Sequence, residues 1–254
     1  MQWDIEGRSA IVTGAGSGIG RAVALRLGQY GVAVGIVDLD ASRAEATSQE
    51  IQKLGGKALA LAADVADSAR VAEVVAHARE TLGSIDYLVN IGGFHQRIPI
   101  QEITDSHWHR MLDVHLSGTF YFCRAVLPGM ITRRFGRIVN MSSLHAFGKV
   151  PFAAHYSAAK AGIAGLTKAL AVEVAPHSIL VNAVAPGPID TPLWRDGLTG
   201  SALDARIAKR IQAIPLGRLG QADEVAETIL FLLSRANSHI TGQVIGFNGG
   251  ELMA

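Results

Sequence analysis

The amino-acid sequence predicts an α/β fold in which helices cover both faces of a parallel β-sheet. Short runs rich in β-branched residues alternate with longer helical patterns along nearly all of the 254 residues. These runs are continuously apolar, which is typical of parallel strands buried on both faces. No repeat, low-complexity tract or linker-like change in composition interrupts the pattern, so we predict a single domain over residues 1–254.

The first half of the chain predicts three strand–helix units and a fourth strand. The predicted strands are residues 8–13, 32–38, 57–62 and 85–90. The helices between them are residues 18–30, 41–54 and 68–82. After an irregular stretch at 92–103, a long helix is predicted at 105–130, because Pro128 and Gly129 are typical of a helix end.

The second half continues the alternation and adds one long irregular segment. A strand is predicted at 137–141, a helix at 156–175 and a strand at 180–184. The irregular segment, residues 186–220, contains one predicted helix at 202–213. A helix at 223–233 and a strand at 244–247 complete the predicted fold.

The composition argues against several classes of function. A formal net charge of +1, with no basic block longer than Arg133-Arg134, gives no electrostatic basis for binding nucleic acid. No stretch reaches the roughly 18 apolar residues of a membrane-spanning helix, and the N-terminus lacks the features of a signal peptide. The single cysteine, Cys123, has apolar neighbours that predict a buried, unreactive thiol. We therefore expect a cytoplasmic protein.

Residues 142–168 hold the pattern with the clearest chemistry. Tyr156 and Lys160 are four residues apart, which places both side chains on one face of a helix. A lysine cation roughly 5 Å away, at a dielectric near 20, favours the phenolate by about 3 kcal/mol, or roughly two pKa units. Such a tyrosine could act as acid and base near neutral pH. Ser143 could bond the same substrate oxygen, although this tyrosine–lysine spacing alone also occurs by chance in surface helices.

A glycine-rich loop lies where the first predicted strand turns into the first helix. Gly14, Gly18 and Gly20 follow the spacing Gly-x3-Gly-x-Gly, which differs from the G-x-G-x-x-G fingerprint of dinucleotide-binding proteins. Glycines let the backbone approach a pyrophosphate closely, and the helix N-terminus offers N–H groups to that anion. The loop therefore predicts a nucleotide site.

Two acidic residues at the ends of the next two strands are predicted to bind the adenosine part of the nucleotide. Asp38 ends the second strand, where a carboxylate can bind both ribose hydroxyls and repel a 2′-phosphate. Since neither Leu39 nor Ser17 supplies a cation, the sequence favours NAD over NADP. The alternative for Asp38 is a helix N-cap, and Asp64 could either read adenine together with Val65 or cap a helix.

Together these residues resemble the short-chain dehydrogenase/reductase family. The resemblance covers about residues 7–250 and is carried by residues 13–20, Asp38, Asp64, Val65, Asn90, Ser143, Tyr156, Lys160, Pro186 and Gly187. It implies a Rossmann-type doubly wound domain with a seven-stranded parallel sheet, and a homotetramer. In a homotetramer of this kind, the small residues of the helix at 156–175 would let it pack closely against a neighbouring subunit.

The resemblance also implies a role for each matched residue. Tyr156 would exchange a proton with the substrate, Lys160 would lower its pKa and bind the nicotinamide ribose, and Ser143 would orient the substrate oxygen. Ile189 and Thr191 would hold the nicotinamide carboxamide. The remaining cofactor contacts would be Gly14, Ser17, Gly18, Ile19, Gly20, Asp38, Asp64, Val65, Asn90, Gly92, Pro186 and Gly187.

The chain departs from the family pattern at two places. Asn90-Ile91-Gly92-Gly93 replaces the usual Asn-Asn-Ala-Gly, which alters the floor of the site. His115 stands where the family usually has an asparagine whose backbone carbonyl holds a water leading to the lysine. A backbone role does not require asparagine, so His115 is either structural or a further member of the proton relay.

Other histidines and aromatic residues predict a substrate pocket that is partly aromatic and partly polar. The candidate substrate residues are His95, His145, Phe152, His155 and Trp194. Residues 187–217 form a segment long enough to be a lid over the nicotinamide. His107 and His109 have no acid or cysteine cluster beside them, so no metal site is predicted.

The sequence therefore predicts an NAD-dependent oxidoreductase that interconverts a secondary alcohol and a ketone. One alternative is a reductase of 3-oxoacyl thioesters carried by coenzyme A or a carrier protein. Another is a catalytically silent NAD-binding regulatory protein, which would not need the intact serine, tyrosine and lysine. The expected partner is a small molecule, not nucleic acid or a membrane.

Overall fold

The computed structural model describes residues 3–148, 150–195 and 197–253. Seven strands in this part of the chain form one parallel sheet. They are β1 (Ser9–Thr13), β2 (Ala33–Asp38), β3 (Ala58–Ala62), β4 (Tyr87–Asn90), β5 (Gly136–Met141), β6 (Ile179–Pro186) and β9 (Val244–Phe247). Two short strands, β7 (Ile189–Asp190) and β8 (Gly220–Gln221), pair separately.

The order of the strands in the large sheet is β3-β2-β1-β4-β5-β6-β9. Successive strands extend the sheet in one direction from β1 to β3 and in the other direction from β4 onwards. The order therefore reverses between β1 and β4, and a crevice for ligands is expected at such a point.

The connecting helices lie on both faces of the sheet, which confirms the predicted fold class. They are α1 (Gly18–Gln29), α2 (Ala41–Lys53), α3 (Ser68–Leu82), α4 (Asp105–Leu112), α5 (Gly118–Arg133), α6 (Ala154–Val174), α7 (Pro192–Arg195), α8 (Gly200–Ile211) and α9 (Ala222–Leu233). Short 3₁₀ turns occur at Ile100–Glu102, Leu144–Ala146 and Ala175–His177.

Alternate residues of each strand supply the two cores. Val12 and Ile36 pack on one face with α1 and α9, whereas Ile11, Val37 and Leu88 pack on the other with α3 and α5. Because both faces are buried, polar side chains can reach solvent or a ligand only where the strands end. The functional residues must therefore cluster at the carboxyl edge of the sheet.

The predicted long helix at 105–130 is wrong in two respects. A π-helical turn at Asp113–Ser117 separates α4 from α5, and α5 continues through Pro128 to Arg133. Proline removes one backbone hydrogen bond, but Met130 is completely buried against the start of β5, and this burial keeps the last turn helical. The helix ends at Arg134, whose φ of 53° is left-handed.

The segment between β6 and α9 has more structure than predicted. Besides the predicted helix, found as α8, it contains α7 and the paired strands β7 and β8. These elements have four residues or fewer, so no hydrophobic period could reveal them.

Candidate active site

A cavity of about 500 Å³ opens at the carboxyl edge of the sheet. Its walls come from the segments after β4, β5 and β6, from α6 and from the C-terminal residues Glu251 and Leu252. Predicted site residues that line it are His95, His115, Ser143, His145, Tyr156, Lys160, Ile19, Pro186, Gly187, Ile189, Thr191 and Trp194. The structure thus brings the predicted catalytic residues and the nicotinamide-side residues together.

Tyr156 and Lys160 lie on the first turns of α6, as their spacing predicts. The Nζ of Lys160 is 5.6 Å from the centre of the Tyr156 ring and donates a hydrogen bond to the Met141 carbonyl at 2.7 Å. Ser143 follows β5 and hydrogen-bonds the Tyr156 hydroxyl. The Oγ of Ser142 instead donates to the Lys160 carbonyl at 3.0 Å. Ser143 is therefore the serine that can share a substrate oxygen with Tyr156.

The expected lowering of the tyrosine pKa is absent from this arrangement. Burial raises the pKa of Tyr156 to about 12, and the hydrogen bond with Ser143 only partly offsets that rise. Burial also lowers the pKa of Lys160 to about 7, because the protein interior disfavours the charged ammonium group. The prediction from spacing counted the attraction between cation and phenolate but left out the cost of burying both. Additional positive charge is needed to stabilise the phenolate at neutral pH.

Three imidazole rings surround the aromatic ring of Tyr156. The ring centroids of His95, His145 and His115 lie 4.8, 5.1 and 5.2 Å from that of Tyr156, each nearly perpendicular to it. Edge-to-face contacts of this kind hold an aromatic ring in one orientation. Burial, and then the charges of His95, Arg97 and Arg210, lower the pKa of His145 to about 4, so this imidazole is neutral.

His115 occupies its position because of two local features. The π-helical turn carries it into the site, and π turns of this kind often occur at functional sites. Its Nε2 lies 2.8 Å from the carbonyl oxygen of Phe94. Gly93 provides the necessary space, since a Cβ there would lie only 2.1 Å from the His115 Cε1 atom. Burial, together with the nearby Lys160, holds the pKa of His115 well below 6.5.

The glycine loop has the geometry of a phosphate cradle. Gly14 and Gly18 have φ values of +63° and +53°, which other residues rarely adopt. A Cβ on Gly20 would lie 2.1 Å from the Gly14 carbonyl oxygen. Ser17 precedes α1 but does not cap it with its side chain, so the first N–H groups of the helix remain available to an anion. These residues fit the pyrophosphate of a dinucleotide.

The loop is also packed closely against the segment after β4. The Thr13 hydroxyl accepts hydrogen bonds from the N–H groups of Ile91 and Gly92 at 2.9 and 3.0 Å. A Cβ on Gly14 would lie 2.7 Å from the Gly92 Cα. Gly14 therefore lets the two backbones approach each other, and a Cβ on Gly92 would in turn lie only 3.3 Å from the Gly14 nitrogen.

Asp38 lies directly against the glycine loop. Its Oδ2 accepts the Gly16 N–H at 2.8 Å and its Oδ1 accepts the Asp40 N–H at 3.0 Å. Asp40 is the residue that caps α2, by accepting from Ser42 and Arg43. The N-cap alternative for Asp38 is therefore wrong, and its carboxylate is placed beside the loop where a ribose would lie.

Asp64 and Asn90 make protein contacts that the sequence did not predict. Asp64 accepts the Ala66 N–H at 3.0 Å and forms an ion pair with Arg110 at 2.9 Å. Asn90 is buried and donates to the Asn140 side chain at 2.8 Å. The side chain of Asn90 thus joins β4 to β5. Val65 packs beside Gly92 and Gly118, at the floor of the same region.

Comparisons with known proteins agree with this geometry. A family model described as "Enoyl-(Acyl carrier protein) reductase" matches residues 14–251. The chain is 38% identical over 250 residues to "(2S)-[(R)-hydroxy(phenyl)methyl]succinyl-CoA dehydrogenase subunit BbsD" of Thauera aromatica, covering 97% of each. It is 39% identical over 246 residues to "3-oxoacyl-[acyl-carrier-protein] reductase FabG" of Thermotoga maritima, covering 97% of this chain and 98% of the relative.

A solved structure from Brucella melitensis shows the same fold. It is described as "Crystal Structure of a 3-oxoacyl-[acyl-carrier protein] Reductase with bound NAD"; the TM-score is 0.88 and the identity 38%, over 99% of this chain and 93% of that one. The chain belongs to the short-chain dehydrogenase/reductase family. The predicted resemblance is confirmed, and the protein is an oxidoreductase.

In this dehydrogenase/reductase, two of the five predicted substrate residues do not line the cavity. Phe152 is exposed, with a left-handed φ of 61°, and its carbonyl accepts the Ile98 N–H at 2.8 Å. His155 is completely buried within α6 and is not among the residues that line the cavity. Helical spacing explains the second case, because adjacent residues on a helix point in different directions, and Tyr156 is the one that faces the cavity.

The nicotinamide-side segment is anchored to the glycine loop. Thr191 is buried, and its Oγ1 accepts the Trp194 N–H at 3.2 Å. A Cβ on Gly18 would lie 3.6 Å from the Thr191 side chain, so the two predicted cofactor segments meet here. Ile189 is likewise buried at the cavity wall.

Sequence reasoning missed several residues that shape the site. Arg43 lies beside Gly16 and pairs with Asp40 at 3.2 Å, which places a cation near the ribose position. Arg97, Arg206 and Arg210 line the cavity, although Arg97 is far in the sequence from the other two. Only the known fold would have revealed these neighbours, since no motif contains them.

Two further predictions concern the chain outside the catalytic centre. Cys123 is buried, as predicted, and burial raises the pKa of its thiol to about 12. Among the described residues, no helix combines the length and apolar character that crossing a bilayer requires.

Proposed function

We propose that this protein catalyses the NAD-dependent interconversion of a secondary alcohol and a ketone. The observation that carries the proposal is the meeting of Ser143, Tyr156 and Lys160 in one cavity with the glycine cradle at its edge. The presence of all three of these residues argues against a catalytically silent NAD-binding protein, because such a protein would not need a buried lysine beside a buried tyrosine. The decisive experiment replaces Tyr156 with phenylalanine, which removes the hydroxyl that would exchange the proton.

The proposed mechanism divides the work between cofactor and protein. Bound NAD would accept the hydride and bring the positive charge of its oxidised ring. Ser143 holds the substrate oxygen, and Tyr156 takes its proton during oxidation or gives a proton during reduction. Lys160, held by the Met141 carbonyl, stabilises the phenolate that oxidation requires.

The raised pKa of Tyr156 predicts different pH profiles for the two directions. Oxidation needs the phenolate, which below a pKa of about 12 increases as pH rises, so kcat/KM for an alcohol should increase between about pH 6 and 9. The increase should become shallower above about pH 7, where Lys160 loses the charge that stabilises the phenolate. Ketone reduction needs the phenol and should not increase with pH. Initial rates in both directions test this, and an oxidation rate that falls across the same range contradicts it.

We propose that the enzyme prefers NAD to NADP. Asp38 would meet a 2′-phosphate directly, whereas Arg43 is already paired with Asp40. Repulsion between the Asp38 carboxylate and this phosphate should make kcat/KM with NADP roughly tenfold or more lower than with NAD, even after solvent screening. Asp38→Asn should raise kcat/KM with NADP about tenfold, because Arg43 remains and the repulsion is gone.

The cofactor prediction has a matched control on α2, the helix that follows Asp38. Glu45→Gln removes one exposed negative charge of α2 and should leave the NAD/NADP ratio unchanged. Steady-state kinetics with both cofactors measures the ratio for each variant. Equal use of NAD and NADP by the unaltered enzyme would show that Asp38 does not select the cofactor.

We propose that His115 supports the site without transferring protons. Its lowered pKa keeps it neutral, and its backbone carbonyl accepts the Thr119 hydroxyl at 2.7 Å, leaving a second lone pair for a water. Asparagine can also donate to the Phe94 carbonyl. His115→Asn should therefore retain at least about a tenth of the activity. Steady-state rates test this, and complete loss would show that His115 is catalytic.

The second candidate is reduction of a 3-oxoacyl thioester. It is supported by relatives named for carrier-protein and coenzyme A thioesters. Asp38 argues for the NAD-linked, oxidative direction, because NAD rather than NADP is the usual acceptor in oxidation. Comparing kcat/KM for a 3-hydroxyacyl coenzyme A with that for a short secondary alcohol distinguishes the two candidates.

We further propose a cytoplasmic homotetramer with a lid at residues 187–217. The small residues of α6, among them Ala158, Ala161 and Gly165, support close packing against another subunit. Trp194 of α7 and Arg206 of α8 both line the cavity, which supports closure of this segment over the cofactor. Light scattering of the purified protein tests the tetramer.

A further inference from the structure

Basic side chains surround the outer end of the cavity that contains Tyr156. They also line a groove that leads from this cavity to solvent. The basic residues are Arg97, Arg206, Lys209 and Arg210. Within the described residues, Glu251 is the single acidic side chain lining the cavity, and none lines the groove. The entrance therefore has an excess of positive charge that the nearly neutral composition of the chain does not reveal.

This positive charge extends to the reaction centre. The ring of His145 contacts that of Tyr156, with centroids 5.1 Å apart. Burial lowers the pKa of His145 most, and the charge of His95 comes next. The charges of Arg97 and Arg210 follow and lower this pKa further. The two guanidinium groups are thus close enough to influence a small molecule bound at Tyr156.

The basic side chains are held in place by neighbouring elements. Ile98, the residue after Arg97, donates its N–H to the Phe152 carbonyl at 2.8 Å, and this hydrogen bond fixes the backbone beside Arg97. The Arg206 guanidinium lies 4.8 Å from the centre of the Trp194 ring. Arg210, four residues after Arg206 and on the same face of α8, bonds Glu251. Arg97 has no ion pair with any described residue, so its charge is available to a ligand.

We propose that the substrate is an anion whose negative end binds at Arg97 and the arginines of α8 while its alcohol or ketone carbon lies at Tyr156. Guanidinium groups match carboxylates and phosphates in geometry as well as charge. The substrate class is thus a hydroxy acid or an acyl-coenzyme A ester, both of which carry such groups. This inference rests on the proposed function for the reacting carbon, but the anion site itself can be tested without turnover.

Calorimetric titration of the NAD-loaded enzyme tests the anion site directly. The probes are succinate, for a carboxylate, and free coenzyme A, for the phosphates. We expect at least one to bind, and Arg97→Gln to weaken that binding about tenfold or more, since a charge-assisted hydrogen bond is lost. Lys53→Gln removes an exposed cation at the end of α2 and should leave the affinity unchanged.

The outcomes separate the two proposals. Binding of succinate alone assigns the site to a carboxylate, and binding of coenzyme A alone assigns it to a thioester. If neither probe binds, or if Arg97→Gln changes neither affinity, the anion site is wrong. Binding of acyl carrier protein alone, dependent on Arg97, would also overturn it in favour of a protein partner. If an anion binds but no anionic or neutral alcohol is oxidised, the proposed function fails while the anion site stands.

Discussion

Replacing Tyr156 with phenylalanine should reduce kcat by a factor of about 10² to 10⁴, the usual contribution of a positioned acid or base. The substitution removes the hydroxyl that exchanges the proton but retains the ring that His95, His115 and His145 surround. The shape of the cavity should therefore persist. NAD affinity, measured by fluorescence titration, should change little, because the glycine cradle and Lys160 are unaltered.

A second buried tyrosine provides the control. Tyr87 is also buried and its pKa is likewise raised to about 12, but it lies at the first residue of β4, at the opposite edge of the sheet. Tyr87→Phe should leave kcat nearly unchanged, since no reacting group is near it. If Tyr156→Phe and Tyr87→Phe lowered kcat equally, loss of a buried hydroxyl, rather than loss of the acid/base, would explain the effect.

The sequence predicts the sheet well because its seven strands are mostly apolar and the signal repeats along the chain. It fails where the signal is short or where tertiary contacts override local preference. Pro128 normally indicates a helix end, but the burial of Met130 keeps α5 helical beyond it. The strands β7 and β8 have two residues each and carry no period to detect.

Some features of the site could likewise be predicted from the sequence, whereas others required the structure. Tyr156, Lys160 and the glycine loop are local patterns, so the sequence could indicate them directly. The relation between Gly93 and His115 could not be predicted, because it depends on a π turn that no sequence period reveals. The pKa values also needed the structure, since burial of Tyr156 and Lys160 outweighs the attraction that their spacing suggests.

Gly93→Ala should reduce kcat/KM about a hundredfold, because displacing a reacting group by about 1 Å has an effect of that size. The backbone at Gly93 has no positive φ, so alanine is not strained in itself. Its Cβ, however, would lie 2.1 Å from the His115 Cε1 atom and 2.6 Å from Nδ1. His115 is buried between Phe94 and Tyr156, so its ring can relieve the clash only by pushing against Tyr156. Overpacking should also destabilise the fold by roughly 1–3 kcal/mol, which thermal unfolding would detect.

A second substitution shows whether His115 transmits the effect. Asparagine is shorter than histidine, so the double variant Gly93→Ala, His115→Asn should recover to within about tenfold of His115→Asn alone, as expected for two residues in direct contact. Gly129→Ala is the control, because its Cβ would meet only the flexible end of Arg133 and should leave kcat/KM unchanged. If the double variant remained as inactive as Gly93→Ala, the clash would not act through His115. Recovery would instead show that glycine at position 93 is required because histidine occupies position 115 and packs against the proton-transferring tyrosine.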